Sequence, residues 1–290
     1  MKRHDRYQEM INFDELWDYG RPAETEAKFR ALLPEAEAAG DAEYLAQLLT
    51  QLARTLGLQR QFVAAHELLD RAETLAEAGS VAQVRYLLER GRCFNSAGDK
   101  ATARPLFMVA YEQAAALEAD FYAVDALHML AIVDPSAAQI SWNEQALALA
   151  AQSADPRARG WVGSLTNNLG WAHHDLGNYE RALALFEQAL AFRQEQGAAE
   201  PIRIAKWCVA RTLRSLGRVE EALAQQQALA EGEQDGYVSE ELGECLQLLG
   251  RMDEARPHFG QAYEMLSQDG WLVANEPARL ERLKQLWQGV

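Results

Sequence analysis

Five arginines, Arg54, Arg85, Arg92, Arg211 and Arg214, stand out in a chain whose net charge is −15. An arginine fork holds a carboxylate through two parallel hydrogen bonds, so several gathered on one surface would make a site for an anionic group. Other residues suit binding as well. His128 and His174 add further cationic capacity, Asn167 can both donate and accept, and Trp171 and Trp207 offer the flat apolar area that dominates many binding energies. Bond-making chemistry has little foothold. His173 and His174 are adjacent, and neighbours on a helix point about 100° apart, so they do not share one metal. His173 reads instead as a core residue. The sequence has no HExxH, no CxxC and no phosphate loop; Gly91 and Gly98 flank Arg92–Ala97 at the wrong spacing and belong to a helix and its cap. No catalytic residue, metal or cofactor is expected, and the chain is not read as an enzyme.

Whether these residues meet depends on the elements that carry them. A position suited to a small residue recurs at Thr25, Ala65, Ala103, Gln139, Ala182, Ala222 and Ala255, at offsets of 40, 38, 36, 43, 40 and 33. Four residues later comes a position suited to a large apolar one: Phe29, Leu69, Phe107, Asn143, Phe186, Gln226 and Phe259. Five residues before the small position stand Gly20, Gly98, Gly177, Gly217 and Gly250, as a left-handed residue closing a helix requires. The strings Ala103-Arg104-Pro105-Leu106-Phe107 and Ala255-Arg256-Pro257-His258-Phe259 argue for common descent of the units. Ser80-Val81-Ala82-Gln83 fits a capping box, and Pro156 and Pro277 each suit a first helical turn. The expected organisation is one array of seven helical pairs, at 8–39, 41–78, 80–118, 120–153, 156–197, 201–231 and 236–268. A closing helix follows at 276–288, with Leu280, Leu283, Leu286 and Trp287 inward and Arg279, Glu281 and Lys284 outward.

Residues 163–196, with Leu169-Gly170, Leu176-Gly177, Tyr179, Ala182, Phe186 and Ala189, resemble one tetratricopeptide repeat in its longer form. The resemblance implies an all-α fold, a right-handed superhelical solenoid of about seven helix pairs with a C-terminal cap. It also implies that the first helix of each pair, helix A, lines a concave wall through repeat positions 2, 5, 9, 12 and 13. Carried over to this chain, position 9 is Asp14, Arg54, Arg92, His128, Trp171, Arg211 and Glu244. Position 5 includes Met10, Asn167 and Trp207, and Arg85, His174 and Arg214 fall at the remaining wall positions. The implied peptide-binding groove is therefore Arg54, Arg85, Arg92, His128, Asn167, Trp171, His174, Trp207, Arg211 and Arg214.

Composition narrows the partner. Apolar residues make up 49% and charged residues 24%, which suits a folded protein rather than a disordered one. The acidic balance opposes binding to nucleic acid or to an anionic membrane. No window of about 18 apolar residues is present, and no signal segment opens the chain. Cys93, Cys208 and Cys245 are far apart and read as reduced thiols in a cytoplasm. The leading expectation is a cytoplasmic scaffold, a monomer or weak homo-oligomer, that holds an anionic peptide or protein segment. A free-standing peptide-sensing regulator of the Rap or MalT type is the alternative.

Overall fold

Helix ends follow the caps the sequence supplies. The computed structural model describes residues 11–232 and 234–289, with residues 136 and 137 by their backbone alone; Met10, assigned to position 5 of the first repeat, lies outside the described residues. Asp41, Ser80, Asp99, Asp155, Asp235 and Asp269 each accept a backbone N–H of the turn they open. At the expected capping box, Ser80 accepts from Gln83 N at 3.2 Å, while the Gln83 amide reaches back to Gly79 N at 2.6 Å.

The described residues form sixteen α-helices and no strand. The A helices are α2 (Ala42–Leu58), α4 (Val81–Ser96), α6 (Asp120–Val133), α9 (Val162–Asp175), α11 (Ala199–Ser215) and α13 (Gly236–Leu248). Their B partners are α3 (Phe62–Leu75), α5 (Lys100–Ala116), α7 (Ser136–Gln152), α10 (Tyr179–Gln196), α12 (Val219–Ala230) and α14 (Met252–Leu266). Helix α1 (Pro22–Ala39) is the B helix of the first pair, and α16 (Pro277–Gln288) closes the chain against α14. Two short helices complete the set: α8 (Pro156–Arg159) lies between the fourth and fifth pairs, and α15 (Gly270–Asn275) between the last pair and α16.

The first pair departs from the pattern. In place of a helix A, the described residues hold a 3-10 turn at Phe13–Leu16. The chain behind it is committed to a side-chain-capped turn: Asp18 accepts from Gly20 N at 3.0 Å, and the Thr25 hydroxyl accepts from Asp18 N at 3.1 Å. Gly98, Gly177, Gly217 and Gly250 take the left-handed backbone expected of them, but Gly20 does not, and in the second pair Arg60 occupies that conformation with φ 60°.

The chain divides into two compact units, Met1–Trp161 and Val162–Val290. Inside each, the two marker positions form the core. Thr25, Ala65, Ala103, Ala182, Ala222 and Ala255 are fully buried, as are Phe29, Leu69, Phe107, Phe186 and Phe259. Phe107, Phe186 and Phe259 sit where helix A carries a glycine twelve residues before the marker alanine. A Cβ built on Gly91, Gly170 or Gly243 would lie 2.5, 2.6 or 2.6 Å from the ring of Phe107, Phe186 or Phe259. Where the large position shrinks, the small one grows. Ala53 stands opposite Leu69 in the second pair, and in the fourth Leu127 and Asn143 exchange sizes, both buried. Close packing at fixed volume per pair explains how the degenerate fourth pair still forms.

Candidate functional site

The residues of the expected groove divide between the two units. Arg54 lies on α2, Arg85 and Arg92 on α4 and His128 on α6; all belong to the first unit. Asn167, Trp171 and His174 lie on α9, and Trp207, Arg211 and Arg214 on α11; all belong to the second.

In the first unit the arginines do not stand as bare cations. Arg54 Nη1 donates to Glu89 of the adjoining A helix at 3.1 Å. Arg92 donates to Glu89 Oε1 at 2.7 Å and pairs with both oxygens of Asp125 on α6. Arg85 is buried, grips Asp14 with two hydrogen bonds of 2.5 and 2.9 Å, and also donates to Gln47 and the Tyr122 hydroxyl. Burial works against charge on Arg92 and Arg85, yet Asp125 and Glu89 hold the first, and Asp14 the second, above the usual arginine range. Burial and the nearby Arg92 keep His128 below the usual histidine range, and its ring packs against Trp161 with centroids 5.1 Å apart.

The same linkage appears in the second unit. Arg211 and Arg214 of α11 pair with Glu241 of α13 at 2.9 and 2.7 Å. The rule is positional: the arginine at position 9 of one repeat meets the acid at position 6 of the next, as in Arg54–Glu89, Arg92–Asp125 and Arg211–Glu241. These pairs join neighbouring A helices, so part of their role is to fix one repeat on the next. The acids carried a readable signal, a carboxylate at one repeat position three times, that the search for cations passed over.

The remaining residues form an aromatic and polar cluster on α9 and α11. Trp171 packs on Phe186 and Trp207, with centroids 5.0 and 6.0 Å apart. His174 Nε2 lies 2.9 Å from Ser215 Oγ, and burial with Arg211 nearby holds the imidazole below its usual range. Asn167 accepts from the Cys208 thiol at 3.4 Å, and the Trp207 indole nitrogen is buried without an acceptor. His173 Nδ1 is likewise buried without a partner. Among the described residues no group of three or more His, Cys, Asp or Glu is placed to hold a metal ion.

Concavities open on the A helices. In the first unit, one of about 240 Å³ is lined by Arg54, Arg85, Arg92, Glu89 and Asp125, with Trp17, Tyr19, Phe121, Tyr122 and Trp161 around them and Arg157 at its edge. Trp17 and Tyr19 are stacked at 4.5 Å, Arg54 lies 5.4 Å over Tyr19, and Arg157 lies 4.9 Å over Phe121. The trio Arg54, Glu89 and Arg92 also borders a second concavity of about 270 Å³ that adds Arg60, Phe62, Asn95 and Ser96. Among the described residues no ion pair reaches Arg60, whose guanidinium faces Phe62 at 5.9 Å. In the second unit a larger concavity of about 580 Å³ lies between α11, α13 and the end of α14. Arg60, Arg157, Phe121, Ile204 and Tyr237 were not among the expected groove residues; Ile204 and Tyr237 fall at repeat position 2, a wall position.

The family model of the tetratricopeptide repeat matches residues 162–195. No curated protein matches the sequence. Among solved structures, the apo form of RapI shares 12% identity over 95% of this chain and 80% of its own, with a TM-score of 0.71. The apo form of the quorum sensor NprR from B. thuringiensis shares 16% identity over 94% of this chain and 79% of its own, with a TM-score of 0.66. NprR in complex with its cognate peptide NprX shares 15% over 99% and 84%, with a TM-score of 0.55. At such identities the likeness is one of fold. Residues 162–195 thus match a tetratricopeptide repeat, and the buried Ala–Phe pairs of α5 and α14, each preceded by a left-handed glycine, repeat the Ala182–Phe186 arrangement found inside that match.

Proposed function

We propose that the A-helix face of this protein binds a peptide or protein segment without transforming it, and that the segment is anionic where it meets the first unit. The carrying observation is the pair of adjoining concavities along α2, α4 and α6. They are lined by Arg54, Arg60, Arg85 and Arg92 against Asp14, Glu89 and Asp125, with aromatic rings at the edge. Because most of these arginines already hold an acid, a ligand carboxylate would share their outer N–H groups and meet Arg60 directly. Aromatic edges and Asn95 would supply apolar contact and backbone hydrogen bonds. Three buried thiols fit a cytoplasmic setting, and the net charge of −15 argues against nucleic acid as the partner. No helix among the described residues is long and apolar enough to cross a membrane.

Selection from a random peptide display library tests the reading. Enriched sequences should be rich in Asp, Glu or a free C-terminus, and binding should weaken as salt rises through the physiological range. Arg60→Glu with Arg157→Glu should lower binding of the selected peptides more than Arg71→Glu, whose exposed partner Glu37 lies on α1, a B helix. Selected peptides without acidic bias, or equal losses in both variants, would refute it. These exposed sites are preferred to Arg92, because reversing Arg92 would leave Asp125 unpaired, leave Glu89 with Arg54 alone and weaken the repeat contact.

A peptide-sensing regulator is the second reading. The fold shared with NprR, a quorum sensor solved with its cognate peptide, favours it. A selected peptide that changes the radius of gyration in solution scattering would support the sensor; an unchanged radius would favour a static scaffold.

A further inference from the structure

The concavity of about 580 Å³ in the second unit differs in character from the face just described. Its walls are apolar: Ile204 and Trp207 from α11, Tyr237 and Val238 from α13, and Met265 and Leu266 from α14. Ile204 and Tyr237 keep 49% and 37% of their surface exposed. Both stand at repeat position 2, where a helix A side chain faces the wall. The space, about 580 Å³, admits a bulky side chain and the backbone beside it.

The rim is acidic. Glu200, Asp235 and Asp269 border the concavity, with Arg203 as the one guanidinium. Arg203 is engaged, donating to Asp235 at 2.7 Å. Asp269 accepts from Trp271 N and Leu272 N, contacts that leave its charge in place, and Glu200 lies exposed in the first turn of α11. Among the described residues no ion pair reaches Glu200 or Asp269. Tyr237 already presents one ring face to a cation, with the Arg279 guanidinium 5.4 Å from its centroid. An apolar floor with two uncompensated carboxylates at its edge matches an apolar group followed closely by a positive charge. It disfavours the same group followed by a negative one.

We propose that this concavity is a subsite for a bulky apolar side chain followed within a residue or two by lysine or arginine, carried on a peptide or a protein tail. The inference rests on the reading of the A-helix face as the ligand surface, and gives the second unit a charge preference opposite to that of the first.

The test uses the full chain labelled with 15N at tryptophan and three blocked dipeptide amides: acetyl-Phe-Lys-amide, acetyl-Phe-Glu-amide and acetyl-Ala-Lys-amide. The reporter is the Trp207 indole resonance, assigned as the one of seven that disappears in Trp207→Phe. The Phe-Lys probe should shift it saturably, the Phe-Glu probe about three- to tenfold more weakly, as expected of two exposed charges, and the Ala-Lys probe not measurably. Combining Glu200→Gln with Asp269→Asn removes both charges while asparagine keeps the helix cap, and should bring the Phe-Lys and Phe-Glu affinities together. No shift with any probe, equal binding of Phe-Lys and Phe-Glu to the parent chain, or an unchanged preference in the double variant would each overturn the proposal. A shift of the same resonance with protein concentration alone, accompanied by a dimer mass in light scattering, would assign the face to a second copy and overturn it as well. The display selection above fails or succeeds through Arg60 and Arg157 of the first unit, so failure of one reading is separable from failure of the other.

Discussion

Gly170→Ala adds one methyl group where the Phe186 ring of α10 lies against α9. A Cβ there would lie 2.6 Å from Phe186 Cε1 and 2.8 Å from two further ring atoms. Ordinary carbon contacts are about 3.5–4.0 Å, so the ring would have to retreat by about 1 Å. It has little room, since Phe186 is fully buried with Trp171 at 5.0 Å. Overpacking of this kind costs about 1–3 kcal/mol, and alanine in a helix interior returns up to about 1 kcal/mol relative to glycine. The expected net loss is about 1–2 kcal/mol, or a fall in Tm of about 2–4 °C for each kcal/mol. Phe186→Ala should cost about 3–5 kcal/mol. The informative variant is Gly170→Ala combined with Phe186→Leu, which copies the Ala53 and Leu69 combination of the second pair. If the two positions share one volume, the double variant should be about 1–2 kcal/mol more stable than the sum of its single changes. Urea titration followed by tryptophan fluorescence gives each term, with Trp171 as the local reporter and the slope checked for constancy. Gly177→Ala serves as the control: its φ of 76° strains any other residue, but nothing lies within 4 Å of a Cβ there, so Phe186→Leu should not rescue it. Additivity of Gly170→Ala and Phe186→Leu within about 0.5 kcal/mol would refute the shared-volume account.

Four further outcomes are expected. Deleting residues 276–290 should promote aggregation and lower Tm, because Leu280 and Leu283 are buried and Trp287 covers Gly260; unchanged light scattering and melting would refute the capping role. Arg60→Gly should raise stability by about 0.5–1 kcal/mol in urea titration, by relieving a left-handed arginine, while weakening any anion held there. Burial lowers the pKa of His66, His128, His174 and His258, so the unfolded chain takes up protons below about pH 6.5 that the folded chain refuses. Stability should therefore fall as pH drops from about 7 to 5.5; a flat profile in urea titrations across that range would refute it. Burial pushes the Cys93 thiol up to about 11 and those of Cys208 and Cys245 up to about 12, so none should react with a thiol reagent at pH 8 until the chain unfolds.

The array was legible in the sequence because its signals are local. Alanine and phenylalanine four residues apart share one helix face, a left-handed glycine ends a helix within its own turn, and an aspartate caps the turn it begins. Such rules placed the core residues Ala65, Ala103, Ala182, Ala222 and Ala255 with their large partners, and anticipated α16 with Leu280 and Leu283 inward. They erred at two points where a distant partner decides. Arg279, expected outward, is held by Glu240, thirty-nine residues away on α13. The first helix A is a 3-10 turn in the described residues, anchored by Asp14 on Arg85 and Trp17 on Gln51, contacts spanning 71 and 34 residues.

The candidate site shows the same division. Repeat position alone set Arg54, Arg92 and Arg211 on A helices and made them look like a row of free cations. Only the packing of one repeat on the next brought Glu89, Asp125 and Glu241 within reach of them. A side chain's helix follows from the few residues around it. The charge it presents to a ligand depends on which side chain of the neighbouring helix arrives beside it, about thirty residues away in sequence. That distance is bridged by the tertiary fold, which turned the arginine row into inter-repeat ion pairs and left Arg60, Glu200 and Asp269 as charges without ion-pair partners among the described residues.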